Sequence, residues 1–72
     1  MAALREEPRK TLSEALDKRR RDDTVETAVG REVRRAGLQY SAYLEIMEAV
    51  RERARKEKLD PWKAAMALSE EQ

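Results

Sequence analysis

The sequence predicts a small all-α domain of three to four helices, and three observations support that prediction. The 72 residues include only two glycines and two prolines, so few positions interrupt a helix. No stretch alternates β-branched or aromatic residues with polar ones, as a half-buried strand would. Apolar residues instead recur every three or four positions. We expect a flexible N-terminus over residues 1–8 and a single helical domain over residues 9–72.

The first predicted helix covers residues 9–20. Pro8 precedes it, because proline lacks the N–H that a helix interior needs and therefore opens a helix rather than continuing one. Leu12, Ala15 and Leu16 fall on one face of this helix. The helix ends in four consecutive cations, which the negative end of a helix dipole favours: Lys18, Arg19, Arg20 and Arg21.

The second predicted helix covers residues 24–36. Asp22 and Asp23 are its candidate N-caps, because short acceptor side chains satisfy the first free N–H groups of a helix. Gly37 predicts a left-handed residue that ends the helix, a conformation that glycine adopts without steric cost. The apolar face is a narrow stripe with i+4 spacing: Val25, Val29 and Val33.

A longer helix and a short C-terminal helix complete the prediction. The longer one covers residues 40–59. Asp60 and Pro61 then predict an N-cap followed by a proline at the first helical position of a helix that continues through Leu68. The apolar face of that short helix comprises Trp62, Ala65 and Met66. The apolar face of the longer helix either packs as core or forms a seam against a second copy: Tyr40, Tyr43, Leu44, Met47, Val50 and Ala54.

The composition argues against catalysis. The chain has no His and no Cys, which removes the usual zinc ligands, thiolate nucleophiles and imidazole proton shuttles. It also lacks a glycine-rich phosphate loop. We therefore expect a protein that is not an enzyme and that uses no metal, cofactor or small-molecule substrate. No apolar run is long enough to span a membrane, and the N-terminal residues lack the apolar stretch of a signal peptide, so we expect a cytoplasmic protein.

Charge is balanced in total but uneven along the chain. The 16 Lys and Arg residues exceed the 15 Asp and Glu residues by one. Residues 18–35 and residues 51–63 each sum to +3, whereas residues 36–50 between them sum to −2. Basic segments of this kind are candidate phosphate contacts, although solvated helix ends have the same composition.

Around the predicted glycine turn, the spacing of apolar residues resembles the helix-turn-helix pattern of DNA-binding proteins. Buried residues are needed four before the glycine, directly after it, about six after it and three or four further on: Val33, Leu38, Tyr43, and Ile46 or Met47. The resemblance implies a dimeric transcriptional regulator that binds double-stranded DNA. It places base contacts on Gln39, Ser41, Ala42 and Glu45. Phosphate contacts would come from Arg19, Arg20, Arg21, Arg31, Arg34 and Arg35.

A second interpretation stays open, because an ordinary helical hairpin gives much of the same spacing. In it the chain is a protein-interaction module, such as a small inhibitor, an antitoxin-like factor or a complex subunit. Its partner covers the apolar face of the third helix, and a homodimer is one form of that pairing. The interface residues are then Tyr40, Tyr43, Met47, Val50 and Trp62.

Overall fold

A computed structural model describes residues 4–71 and, within that range, contains four helices and no strand. The helices are α1 (Glu6–Asp17), α2 (Val25–Arg35), α3 (Tyr40–Glu57) and α4 (Pro61–Glu70). The all-α prediction is confirmed, including the pair of helices on either side of Gly37 and the short C-terminal helix.

Helix α1 begins and ends three residues earlier than predicted. Pro8 lies in its first turn, where the backbone N–H groups have no partner within the helix and a missing one costs nothing. Leu4 and Pro8 are buried, whereas residues 5–7 between them are exposed. Residues 1–3 of the predicted flexible N-terminus lie outside the described residues. Because α1 ends at Asp17, the four cations belong to the loop that follows it.

The N-terminus of α2 is capped by Thr24, so the prediction of an aspartate cap was wrong. The Thr24 hydroxyl accepts a hydrogen bond from the Thr27 N–H at 3.1 Å. Asp23 instead accepts from the Arg20 N–H at 2.8 Å and binds Arg31, which folds the loop back on itself. Asp23 lies one residue before the N-cap, and its carboxylate stabilises the loop that leads into α2.

Gly37 ends α2 in the left-handed conformation that the sequence predicts, with φ of +72°. Its N–H donates to the Arg34 carbonyl at 3.1 Å, and the Leu38 N–H donates to the Val33 carbonyl at 3.0 Å. These two bonds form a Schellman motif, which satisfies carbonyls that the helix end leaves free. The motif turns the chain within four residues, 36–39, from α2 into α3.

The start of α4 also follows the prediction. Lys58 ends α3 in a left-handed conformation, with φ of 56°. The Asp60 carboxylate then accepts from the Lys63 N–H at 3.0 Å, and Pro61 is the first helical residue. The helix continues to Glu70, two residues beyond the predicted end.

The core lies between all four helices and contains mostly medium-sized aliphatic side chains. The predicted valine stripe of α2 is buried, and so are alanines on α1, α2 and α4. Two predicted apolar faces are only partly buried. On α3 the buried face includes Ile46, whereas Tyr40 and Leu44 are exposed by 69% and 48%. On α4 the buried residues are Ala64, Ala65 and Leu68, and Met66 faces solvent.

Two glycines give a matched test of this turn. We expect Gly37→Ala to lower the free energy of unfolding by about 1 to 2 kcal/mol, because an L-residue is strained at positive φ. Nothing lies within 4 Å of the added Cβ at residue 37, so the cost is purely conformational. Gly30→Ala, inside α2, should instead raise the free energy of unfolding by about 0.5 to 1 kcal/mol. Urea unfolding followed by circular dichroism measures both, and equal effects of the two substitutions would contradict the assignment of the turn.

Candidate functional site

The turn between α2 and α3 has the packing that the helix-turn-helix pattern implies. Val33 and Ile46 are buried, and Leu38 and Tyr43 pack against the core from its edge. The burial pattern of the motif is therefore present. Its capacity to bind DNA depends on the side chains at the exposed beginning of α3.

The predicted base-reading residues include no cation, and their one charged member is an acid. Gln39 and Ser41 are exposed, and Ala42 is half-buried. Glu45 accepts hydrogen bonds from Arg5, with Arg5 Nη2 to Glu45 Oε1 at 2.7 Å. Glu48 is exposed one turn further along. Residues 36–49 thus contain two acids and no Lys or Arg, and a groove lined with phosphates disfavours such a surface.

The predicted phosphate-binding arginines are divided among different environments. Arg31 is bound to Asp23, whose side chain is only 9% exposed. The hydrogen bond from Arg31, aided by the Arg20 backbone N–H, lowers the pKa of Asp23 below its usual value. Arg34 lines an open groove between α2 and α3, while Arg35 lines another groove beside acidic residues of α1. The two neighbours therefore do not converge on one surface.

A contact between Arg19 and Trp62 brings two basic segments together. The Arg19 guanidinium carbon lies 4.7 Å from the centroid of the Trp62 ring, a cation–π contact between the α1–α2 loop and the start of α4. Trp62 is half-buried at the edge of the core. Residues 18–24 and residues 55–63 each contain four cations and two acids. We call these two segments the cation-rich end.

Most cations of the cation-rich end have no acidic partner. Lys18 is the exception, since it pairs with Glu14 at 3.1 Å. Two of the four acids are occupied elsewhere, Asp23 by Arg31 and Glu57 by Arg53. Six further cations are exposed and make no salt bridge to another described residue: Arg20, Arg21, Arg55, Lys56, Lys58 and Lys63.

An aromatic pair lies at the beginning of α3. The rings of Tyr40 and Tyr43 stack with centroids 5.4 Å apart, and Tyr43 lies beside Gly30 of α2. Of the predicted interface residues, these two and Trp62 keep exposed surface. The interface prediction needs correction at Met47 and Val50, which are buried in the core of the single chain because their face of α3 packs on the other helices.

Sequence reasoning missed a buried arginine that binds the end of the described chain. Arg53 is 8% exposed, pairs with Glu57 at 3.2 Å and donates to the Glu71 carboxylate. Arg9 donates to the Glu71 carbonyl at 2.8 Å, so α1 and α3 both bind the residue after α4. The burial of Arg53 could have been predicted from the sequence, because residue 53 follows Val50 by three positions and therefore lies on the buried face of α3. We interpret this group as structural.

Neither a metal site nor a similar known protein identifies the function. In residues 4–71 no group of three or more acidic side chains could hold a metal ion. No helix in the described part of the chain is long and apolar enough to cross a membrane. Comparison of the chain with protein-family models, curated proteins and solved structures gave no match. The distribution of side chains therefore carries the functional argument.

The Asp23–Arg31 pair predicts how stability depends on acidity. Because the pKa of Asp23 is lower in the folded chain, the pair stabilises the fold above the unfolded pKa near 3.8, and this stabilisation disappears as the pH falls through the lower folded pKa. We expect Asp23→Asn to lower the unfolding midpoint at neutral pH and to flatten its acid dependence. Asp22→Asn, at an exposed neighbour without an ion pair among the described residues, is the control. Parallel acid profiles for Asp23→Asn and the unchanged chain would contradict this role.

Proposed function

We propose that this chain is a small, non-enzymatic DNA-binding protein that contacts phosphates through its cation-rich end. The observation that carries the proposal is the Arg19–Trp62 contact, which unites two basic segments far apart in sequence. Without that contact each segment is an ordinary charged helix end. The contact places the two segments next to each other, and both contain exposed cations.

The physical basis is the sequence-independent attraction between cations and the DNA backbone. Each phosphate that a Lys or Arg neutralises releases condensed counterions, so several contacts at moderate spacing give affinity that falls steeply with salt. The cation-rich end contains eight cations and four acids, and two of these acids are paired with arginines outside it, Asp23 with Arg31 and Glu57 with Arg53. The local charge thus favours a polyanion although the whole chain carries only +1.

This proposal moves the DNA contact away from the beginning of α3. A recognition helix enters the major groove with its first turns, where phosphates flank it on both sides. Here those turns carry Tyr40, Leu44, Glu45 and Glu48 outward, and one of these acids already binds Arg5. Glu48 forms no ion pair with another described residue, and its negative charge disfavours binding of α3 in the major groove. Transcriptional regulation needs base-specific contacts, so it stays a prediction, as does the cytoplasmic location.

Protein interaction is a second candidate function, favoured by a separate observation. Tyr40 and Leu44 lie one turn apart on α3, and both expose large apolar surface. Exposed aromatic and aliphatic side chains that lie together are typical of partner-binding surfaces. The two functions use different parts of the surface, so one chain can carry both.

Charge reversal at two sites tests the DNA proposal. We expect Arg20→Glu combined with Arg21→Glu to abolish binding to a short random duplex at low salt, because two phosphate contacts become repulsive. Arg34→Glu combined with Arg35→Glu changes the net charge equally and should weaken binding far less. Fluorescence anisotropy of labelled duplex at several salt concentrations measures both. For the unchanged chain, the logarithm of affinity should fall by about 0.9 per phosphate contact for each tenfold rise in salt.

Two outcomes would decide against the proposal. Loss of binding only in the Arg34/Arg35 variant would assign DNA to the helix-turn-helix surface instead. Absence of any binding at low salt would remove the DNA function altogether. Trp62 is the only tryptophan of the chain, so a change in its fluorescence on adding duplex gives an independent report from the cation-rich end.

A further inference from the structure

Helix α3 carries an outward stripe that no other helix covers. Its residues recur at spacings of four, four, three and four, so they share one side of the helix. All are exposed, and they run from apolar through acidic to basic along the helix. We call this set the α3 stripe: Tyr40, Leu44, Glu48, Arg51 and Arg55.

The charged centre of the α3 stripe is poorly satisfied within the chain. Glu48 forms no salt bridge with another described residue. Arg51 approaches Glu26 of α2 only to 3.8 Å, and its side chain is 63% exposed. An exposed pair at that distance contributes little, so both groups are available to a partner.

We propose that a second copy of the chain binds the α3 stripe with the two helices antiparallel. A two-fold axis between residues 49 and 50 sets Glu48 of each copy opposite Arg51 of the other. Two salt bridges then form across the centre. A parallel arrangement would oppose Glu48 to Glu48 and Arg51 to Arg51, which repel. The order of charges along α3 is therefore complementary to itself in one direction only.

The apolar part of the stripe completes the same arrangement. In this register Leu44 of one copy lies opposite Arg55 of the other, and the aliphatic stem of the arginine covers the leucine while its guanidinium stays in water. Tyr40 then lies opposite residue 59 of the other copy, just beyond the end of its α3. A single helix pair of 18 residues buries a small interface. The dimer should therefore be weak, with a dissociation constant in the micromolar range, as for interfaces below about 1,200 Å².

A charge swap tests this pairing. We expect sedimentation equilibrium from about 1 µM to about 1 mM to show reversible dimerisation of the unchanged chain. Glu48→Arg should weaken the dimer at least about tenfold, because it creates two Arg–Arg contacts. Arg51→Glu should weaken it similarly. The double variant Glu48→Arg with Arg51→Glu should restore dimerisation, since each pair is re-formed with its charges exchanged.

Matched control variants distinguish effects at the α3 stripe from effects of any change in charge or apolar surface. Lys56→Glu reverses a charge on the same helix outside the α3 stripe and should leave the dimer intact. Leu44→Ala should weaken the dimer, whereas Met66→Ala, at a similarly exposed side chain on α4, should not. Circular dichroism checks that each variant keeps its helix content.

The proposal is overturned if the unchanged chain stays monomeric throughout that range, or if a dimer forms but is insensitive to Glu48→Arg. A double variant that stays monomeric while fully helical overturns the antiparallel register. These outcomes do not depend on DNA, because the measurement contains none and the α3 stripe shares only Arg55 with the cation-rich end.

Discussion

Close contact between helices through alanine is the constraint on which the rest of this structure depends. The chain has no Phe, and its largest fully buried side chains are Leu, Ile, Met and Val. Such side chains fill the space between helices only where the backbones come near each other. Ala15, Ala28, Ala64 and Ala65 are all buried, and they place little side-chain bulk between α1, α2 and α4. Small side chains at a contact let helices pack at the short end of the usual range of about 8–10 Å.

This kind of core leaves the three aromatic residues at its edge. Tyr and Trp can bury their rings while the Tyr hydroxyl or the Trp N–H still reaches water. The edge of a small core allows this arrangement. Tyr43 and Trp62 are half-buried there, and Tyr40 stacks outward on Tyr43. Each aromatic therefore marks a place where the surface differs from a uniformly charged helix face. Trp62 lies in the cation-rich end, and Tyr40 begins the α3 stripe.

The sequence predicted those elements that local chemistry determines by itself. Gly37 and the Asp60–Pro61 pair end and begin helices through their own backbone preferences, and both were correct. The cap of α2 was wrong because Asp23 and Thr24 are both good caps, and the choice was made by Arg31, eight residues further along the chain. The prediction that Tyr40 and Leu44 pack as core was wrong for a similar reason, whereas the alternative of a seam against a second copy stays a prediction. The apolar residues of α3 cover more than one face, and the positions of α2 and α4 decide which face is buried.

The candidate site was harder to predict, because a charge becomes functional only when nothing in the chain neutralises it. Arg19, Arg31 and Arg34 look alike in the sequence. In the fold the first covers Trp62, the second binds Asp23, and the third remains in an open groove. These contacts cannot be predicted from spacing along the sequence, because they form between separate elements of the fold. Composition therefore indicated the basic segments, but not which of their arginines remain without a partner in the folded chain.

The two proposed surfaces reinforce each other through symmetry. In an antiparallel pair of α3 helices the C-terminal halves point away from each other, so the two cation-rich ends lie at opposite ends of the seam. One proposed dimer then carries two candidate phosphate-binding regions. Binding of the first makes binding of the second intramolecular, which raises the overall affinity for a duplex that reaches both. Each end alone is a modest cluster of cations, so dimerisation through a weak seam has most of its effect when a polyanion bridges the two copies.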